Sequence, residues 1–96
     1  MRYYGVMSRK QKFPGTSSVS KVTAECINQL AKAKGVTQTD LGRMLGRSQS
    51  YVQTRCSGLQ SWSVDDVDAL AKHFGLPNGF ALLDMARGLP KNDGQR

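Results

Sequence analysis

Five glycines partition this chain more tightly than any other feature. Gly35, Gly46, Gly58, Gly75 and Gly88 follow one another at intervals of 11 to 17 residues, each just past a stretch with helical spacing. A glycine in that place adopts the left-handed conformation without a Cβ clash and so ends a helix cleanly. The starts agree with the stops. Thr37-x-x-Asp40 and Ser63-x-x-Asp66 resemble capping boxes with Asp in place of the usual Glu or Gln, while Ser48 and Asn78 suit the N-cap. Five short helices are predicted, over about 19–34, 38–45, 48–57, 64–74 and 78–87. The first turns Ile27, Leu30 and Ala31 inward, and the second contributes Leu41, Met44 and Leu45. The fourth aligns Val64, Val67, Leu70, Ala71 and Phe74 on one face. No strand-like alternation competes, so the fold class is all-α.

Ninety-six residues make one small domain. The formal charge is +7, and all of the excess lies in the first 58 residues. Residues 59–96 are slightly acidic, with Asp65, Asp66, Asp68, Asp84 and Asp93 against four cations. A basic half on a near-neutral scaffold suggests a polyanionic partner, because each Lys or Arg set against a phosphate releases condensed counterions. Cys26 and Cys56 stand far apart within helical patterns, and with His73 they cannot supply four zinc ligands. Reduced, core-filling thiols and a cytoplasmic location follow, with no metal and no cofactor. No apolar run approaches the ~18 residues of a membrane span. Met1–Ser8 lacks the apolar stretch of a secretion signal.

Residues 38–57 carry the sharpest signal. Two helices that cross steeply need a small residue where they touch and a glycine in the turn, and Gly42 and Gly46 supply both. Glycine inside a helix costs ~1 kcal/mol relative to alanine, which close packing would explain. On the third helix, Gln49, Ser50, Gln53, Thr54 and Ser57 share an arc of about 140°, with Tyr51, Val52 and Arg55 on the other side. A merely solvated face would be rich in Glu and Lys; this one is uncharged. Glutamine can pair with adenine N6 and N7, and Ser and Thr can donate or accept, the threonine methyl also suiting thymine.

The stretch Val36-Thr-Gln-Thr-Asp-Leu-Gly-Arg-Met-Leu-Gly46, with Ser48-Gln-Ser-Tyr-Val52 and Ser57-Gly58, resembles the lambda-repressor/Cro-like (XRE) helix-turn-helix family. Trp62-Ser-Val-Asp-Asp-Val-Asp-Ala-Leu-Ala-Lys-His-Phe-Gly75 is similar to the fourth helix of that family, and the likeness extends over about residues 22–84. It is closest to phage-type repressors. The resemblance implies a compact five-helix domain whose third helix enters the DNA major groove. Gln49, Ser50, Gln53 and Thr54 then fall on base-facing positions. Gln38 matches a glutamine that binds a phosphate and braces Gln49, while Tyr51 and Gln60 fall where backbone contacts are common. Ser48 opens the recognition helix, where free N–H groups favour a phosphate. The chain departs from the family at Arg47, suited to clamp a phosphate, at Cys56, and at Arg55, which stands where a core aliphatic is usual. An unpaired buried charge is costly, so Arg55 is expected to pair with Asp40, Asp65 or Asp66, or to stack on Trp62.

Residues 1–18, with Arg2, Arg9, Lys10 and Lys12, are expected to form a flexible basic arm. It either reaches into the minor groove or along phosphates, or is a leader adding only non-specific charge. The fifth helix is apolar nearly all round. Phe80, Leu82, Leu83 and Met85 are candidates for a homodimer contact, the alternative being a helix wholly tucked into the core. Residues 19–88 form the domain and residues 89–96 a loose tail. The leading function is a transcriptional regulator, repressor or Cro-like, bound to a double-stranded operator. Alternatives are the DNA-binding antitoxin of a toxin pair and an adaptor that binds protein alone. An enzyme is not expected: no nucleophile–base pair, phosphate loop or apolar carboxylate pair is present.

Overall fold

The computed structural model describes residues 16–88. Five helices occupy them: α1 (Ser18–Lys34), α2 (Gln38–Leu45), α3 (Gln49–Cys56), α4 (Val64–His73) and α5 (Gly79–Arg87). The first N–H groups of a helix lack acceptors, and here each helix finds one on the side chain preceding it. Ser17, Thr37, Ser48, Ser63 and Asn78 accept from the N–H groups of Ser20, Asp40, Tyr51, Asp66 and Ala81. Thr37 and Asp40 complete a reciprocal capping box, the Asp40 carboxylate accepting from the Thr37 N–H at 3.0 Å. The expected second box is only half made. Ser63 caps α4, but Asp66 turns its carboxylate into the protein instead. Gly35 and Gly46 end α1 and α2 in the left-handed region, at φ 71° and 68°. Gly88 does not act this way, since its φ of −86° is ordinary right-handed backbone.

Each helix sends one aliphatic side chain to the centre. Ile27, Leu41, Val52, Leu70 and Leu82 are all essentially without solvent exposure. Each such burial favours folding by roughly 1.5–3 kcal/mol. Cys26 and Cys56 fill the same core as free thiols, and burial pushes both thiols up from their ordinary range. Leu30, Met44 and Leu45 pack at its margin. Val64, expected on the core face of α4, is 84% exposed. It is the first residue of the helix, and the buried position in that turn is taken by Asp66.

Packing then fixes where α3 sits. α2 lies against α3 and α4, while α1 touches α3 and α5. Gly42 is buried at the α2–α3 contact, where an added Cβ would stand 2.9 Å from the Arg47 carbonyl oxygen and 3.6 Å from Val52 Cγ2. Close approach is therefore the reason for glycine inside α2. On the other side, α1 is tied to the end of α3 and the connection after it. Asn28 Nδ2 donates to the Cys56 carbonyl at 2.9 Å, Thr16 Oγ1 donates to the Gly58 carbonyl at 2.9 Å, and the Ser20 and Ser61 hydroxyls lie 2.7 Å apart. The short helix is thus held at both ends.

Candidate nucleic-acid interface

With Val52 and Cys56 turned to the core, α3 presents Gln49, Ser50, Gln53 and Ser57 to solvent. The side chains of Gln49, Ser50 and Gln53 make no hydrogen bond within the described residues, so their donors and acceptors face outward unspent. Ser57 is partly committed, its hydroxyl donating to the Thr54 carbonyl at 3.1 Å. Thr54 differs from its neighbours. It is half-buried, and its hydroxyl donates to the Tyr51 carbonyl while accepting from Arg55 Nη1, each at 3.0 Å.

Beside this face lies a cluster that sequence spacing did not foretell. Asp66 is buried, and its carboxylate accepts from the Tyr51 hydroxyl at 2.5 Å and pairs with Arg47 Nη2 at 3.5 Å. A carboxylate so enclosed is tolerated because a hydroxyl and a guanidinium replace its lost water. The Arg47 guanidinium also lies over the Tyr51 ring, 4.6 Å from its centroid. Arg55 stacks on the same ring at 3.5 Å, and Trp62 meets it edge-on at 6.4 Å. The expected partners of Arg55 are therefore corrected. Asp40 pairs with Arg43 at 3.0 Å, Asp66 serves Tyr51 and Arg47, and Asp65 is exposed. Nor does Arg55 stack on Trp62. Tyr51 is one helical turn away on the same face and so lies nearest to hand. Arg55 Nη1 donates to the Tyr51 carbonyl as well, and its Nε is buried without a partner. Arg47, expected as a phosphate clamp, is braced on Asp66 yet remains 44% exposed.

The remaining sites of the expected interface are dispersed around α3. Ser48 spends its oxygen as cap of α3, accepting from the Tyr51 N–H at 3.1 Å, and the following N–H groups project from the positive end of the helix. Gln38 opens α2 and Gln49 opens α3, both exposed and not hydrogen-bonded to each other. Gln60 lies exposed in the connection after α3, its N–H donating to the Thr54 carbonyl at 3.2 Å. Arg2, Arg9, Lys10 and Lys12 and the tail 89–96 lie outside the described residues.

Away from α3, two grooves of about 370 and 330 Å³ run beside α5, sharing Val19, Thr23 and Leu83 in their walls. Phe80 there is 79% exposed, and Leu83 and Met85 are about 40% exposed. Leu82 is not part of that surface: it is wholly buried in the chain's own core. The helix is therefore not wholly tucked into the core: one edge is buried, and the other, with Phe80, Leu83 and Met85, is bare. At the junction of α4 and α5, Asp68 accepts from the Gly79 N–H at 2.8 Å and pairs with Lys72 at 3.0 Å. The Lys72 hydrogen bond, then that from Gly79, holds its carboxyl below the usual range. Among the described residues no three His, Cys, Asp or Glu side chains gather as a metal site, and no helix is long and apolar enough to cross a membrane.

A protein-family model described as a helix-turn-helix domain matches residues 24–79, from the second turn of α1 to the start of α5. No curated protein and no solved structure matches the chain. The match spans more than half of the sequence and contains α2, the glycine turn, α3 and α4 whole. The chain belongs to this helix-turn-helix family, a family of DNA-binding domains.

Proposed function

We propose that the chain is a sequence-specific regulator of transcription, of the lambda-repressor/Cro type, that lays α3 in the major groove of an operator. The observation that carries this reading is the outer face of α3. Gln49, Ser50 and Gln53 stand side by side in solvent, uncharged, with their hydrogen-bonding groups unspent among the described residues. Such side chains lose little by desolvation against base edges and gain the donor and acceptor pattern that distinguishes one pair from another. Register comes from the phosphates, held by the N–H groups at the start of α3 with Ser48, and by Gln38, Arg47 and Gln60, whereas Tyr51, expected among them, has given its hydroxyl hydrogen bond to Asp66. Residues 1–18 add Arg2, Arg9, Lys10 and Lys12 as a basic arm along the duplex. Occupation of the operator excludes polymerase and needs no cofactor, and the site of action is the cytoplasm.

The bare edge of α5 supports assembly as well. Phe80, Leu83 and Met85 lie exposed along one edge of α5, and a second copy of the chain is the simplest cover. The same surface favours a second reading, an antitoxin whose α5 binds a toxin while α3 binds DNA. Selection of bound sites from random duplexes, with the hydrodynamic mass of the complex, tests both. A two-fold symmetric site with two chains supports the repressor reading. A short asymmetric site with one chain leaves α5 free for another protein. No preference over scrambled competitor at low and moderate salt refutes sequence reading altogether.

A further inference from the structure

The hydroxyl of Thr54 is already in use. A hydroxyl has one proton to donate and two lone pairs. Here the proton goes to the Tyr51 carbonyl at 3.0 Å, and one lone pair accepts Arg55 Nη1 at 3.0 Å. The backbone at this residue is pinned too, its carbonyl accepting from the Leu59 N–H at 3.0 Å, the Gln60 N–H at 3.2 Å and the Ser57 hydroxyl at 3.1 Å. A threonine held in this way cannot donate to purine N7, guanine O6 or thymine O4. With its proton and one lone pair spent on the helix itself, what Thr54 still offers a base is a single acceptor lone pair and its methyl group.

We propose that Thr54 reads a methyl group at C5 of a pyrimidine, and that Arg55 is the positioning residue that keeps the threonine hydroxyl turned away. The inference rests on α3 being the base-reading helix. It assigns different work to neighbouring residues: Gln49, Ser50 and Gln53 read by hydrogen bonds, Thr54 by apolar contact. It also gives a reason for a stacked arginine at a position that periodicity turns inward. The guanidinium lies on Tyr51 at 3.5 Å and offers Nη1 to both the Tyr51 carbonyl and Thr54 Oγ1, so one side chain locks the rotamer of another. A C5 methyl is carried by thymine and by 5-methylcytosine, and DNA of either kind can present it.

The test uses the full chain and the site selected from random duplexes. Each thymine opposite α3 is replaced by uracil, which lacks only the methyl. At one position per bound chain, affinity should fall about fourfold, the equivalent of ~0.8 kcal/mol for one buried methyl. Thr54→Ser keeps the hydroxyl and should bind the two duplexes equally. Thr54→Val keeps the methyl and should retain the ratio. Arg55→Met should shrink the ratio, since the hydroxyl is then free to turn; an unchanged ratio overturns the part given to Arg55. Placing cytosine and then 5-methylcytosine at the same position separates the sources. A gain on methylation no greater than that from thymine names thymine, and a larger one names the methylated cytosine. A parent chain that prefers its site yet binds thymine and uracil alike overturns this proposal alone. So does Thr54→Ser retaining the fourfold penalty. A parent with no preferred site overturns the base-reading role of α3, and this proposal with it.

Discussion

Gln53 and Asp66 are close in space to the same helix yet do opposite kinds of work. Gln53 lies at the middle of the exposed arc and its side chain bonds to none of the described residues, so its removal should leave the fold alone. Gln53→Ala should weaken binding to the selected site by roughly 1–3 kcal/mol and change binding to scrambled duplex little, as read by titration against both. Equal losses on the two duplexes would take Gln53 out of the base readers. Asp66 holds Tyr51 and Arg47 from beneath, and Asp66→Ala strands the half-buried Tyr51 hydroxyl and releases the exposed Arg47 guanidinium. The expected cost is about 1–3 kcal/mol of stability, each kcal/mol lowering Tm by roughly 4–8 °C in a domain of this size. Asp65→Ala, at the exposed neighbour, should move Tm far less. The outward arc was legible because it needs only a helix and its 100° step. Asp66 was not. Its spacing from Ser63 fits a local cap equally well, and only the arrival of Tyr51 and Arg47 from another helix and its turn decides that the carboxylate faces in.

At the level of the helix, start and stop signals act within four residues of chain, which is why Thr37, Ser48, Ser63 and Asn78 could be assigned from sequence and are found as caps. Which residues of a first or last turn are covered depends instead on the neighbouring helix, so Val64 and Gly88 behave otherwise than their spacing suggests. Gly42 is the sequence feature that joins the two levels. In Gly42→Ala, better helix propensity gains ~1 kcal/mol, but a Cβ placed 2.9 Å from the Arg47 carbonyl must displace backbone. Overpacking of this kind costs about 1–3 kcal/mol, and a contact against backbone belongs near the top of that range. A net loss of up to about 2 kcal/mol is expected in denaturant titration, and a stabilised variant would show that the α2–α3 contact is looser than described. The caps also set a response to acid. The Thr37 backbone N–H, then its hydroxyl, holds the Asp40 carboxyl below its usual range, and Lys72 with Gly79 does the same for Asp68. A carboxyl whose pKa is lower folded than unfolded contributes stability above the unfolded value, about 3.9, and loses it as pH falls through the folded one. Both carboxylates are partly exposed, so solvent screens them and the effect is modest. Tm should decline below about pH 4, and the double variant Asp40→Asn, Asp68→Asn should decline less steeply over that window.

Over the whole molecule, charge and apolar area are segregated in a way that suits a particle docked on one side and paired on another. Cations dominate residues 1–58, which contain α2 and α3, whereas Asp65, Asp68 and Asp84 accompany the bare apolar edges of α4 and α5. The number of helices and their order were readable from glycines and caps. The division of α5 into a core edge and a free edge was not, because an all-apolar helix has no polar face to orient it: Leu82 went in and Phe80 stayed out. The basic half raises a quantitative question about how many charges touch phosphate. Residues 1–12 contain Arg2, Arg9, Lys10 and Lys12, and Thr16, where the described chain begins, is fastened to Gly58 just beyond the end of α3. The described residues therefore begin close to the end of α3. Each phosphate neutralised contributes ~0.9 to the slope of log affinity against log salt. Deleting residues 1–12 should then lower that slope by as much as three to four units and weaken binding most at low salt, while the bases selected by α3 stay the same. An unchanged slope would show that the four cations meet no phosphate, and a changed base preference would mean that this segment reads sequence as well as charge.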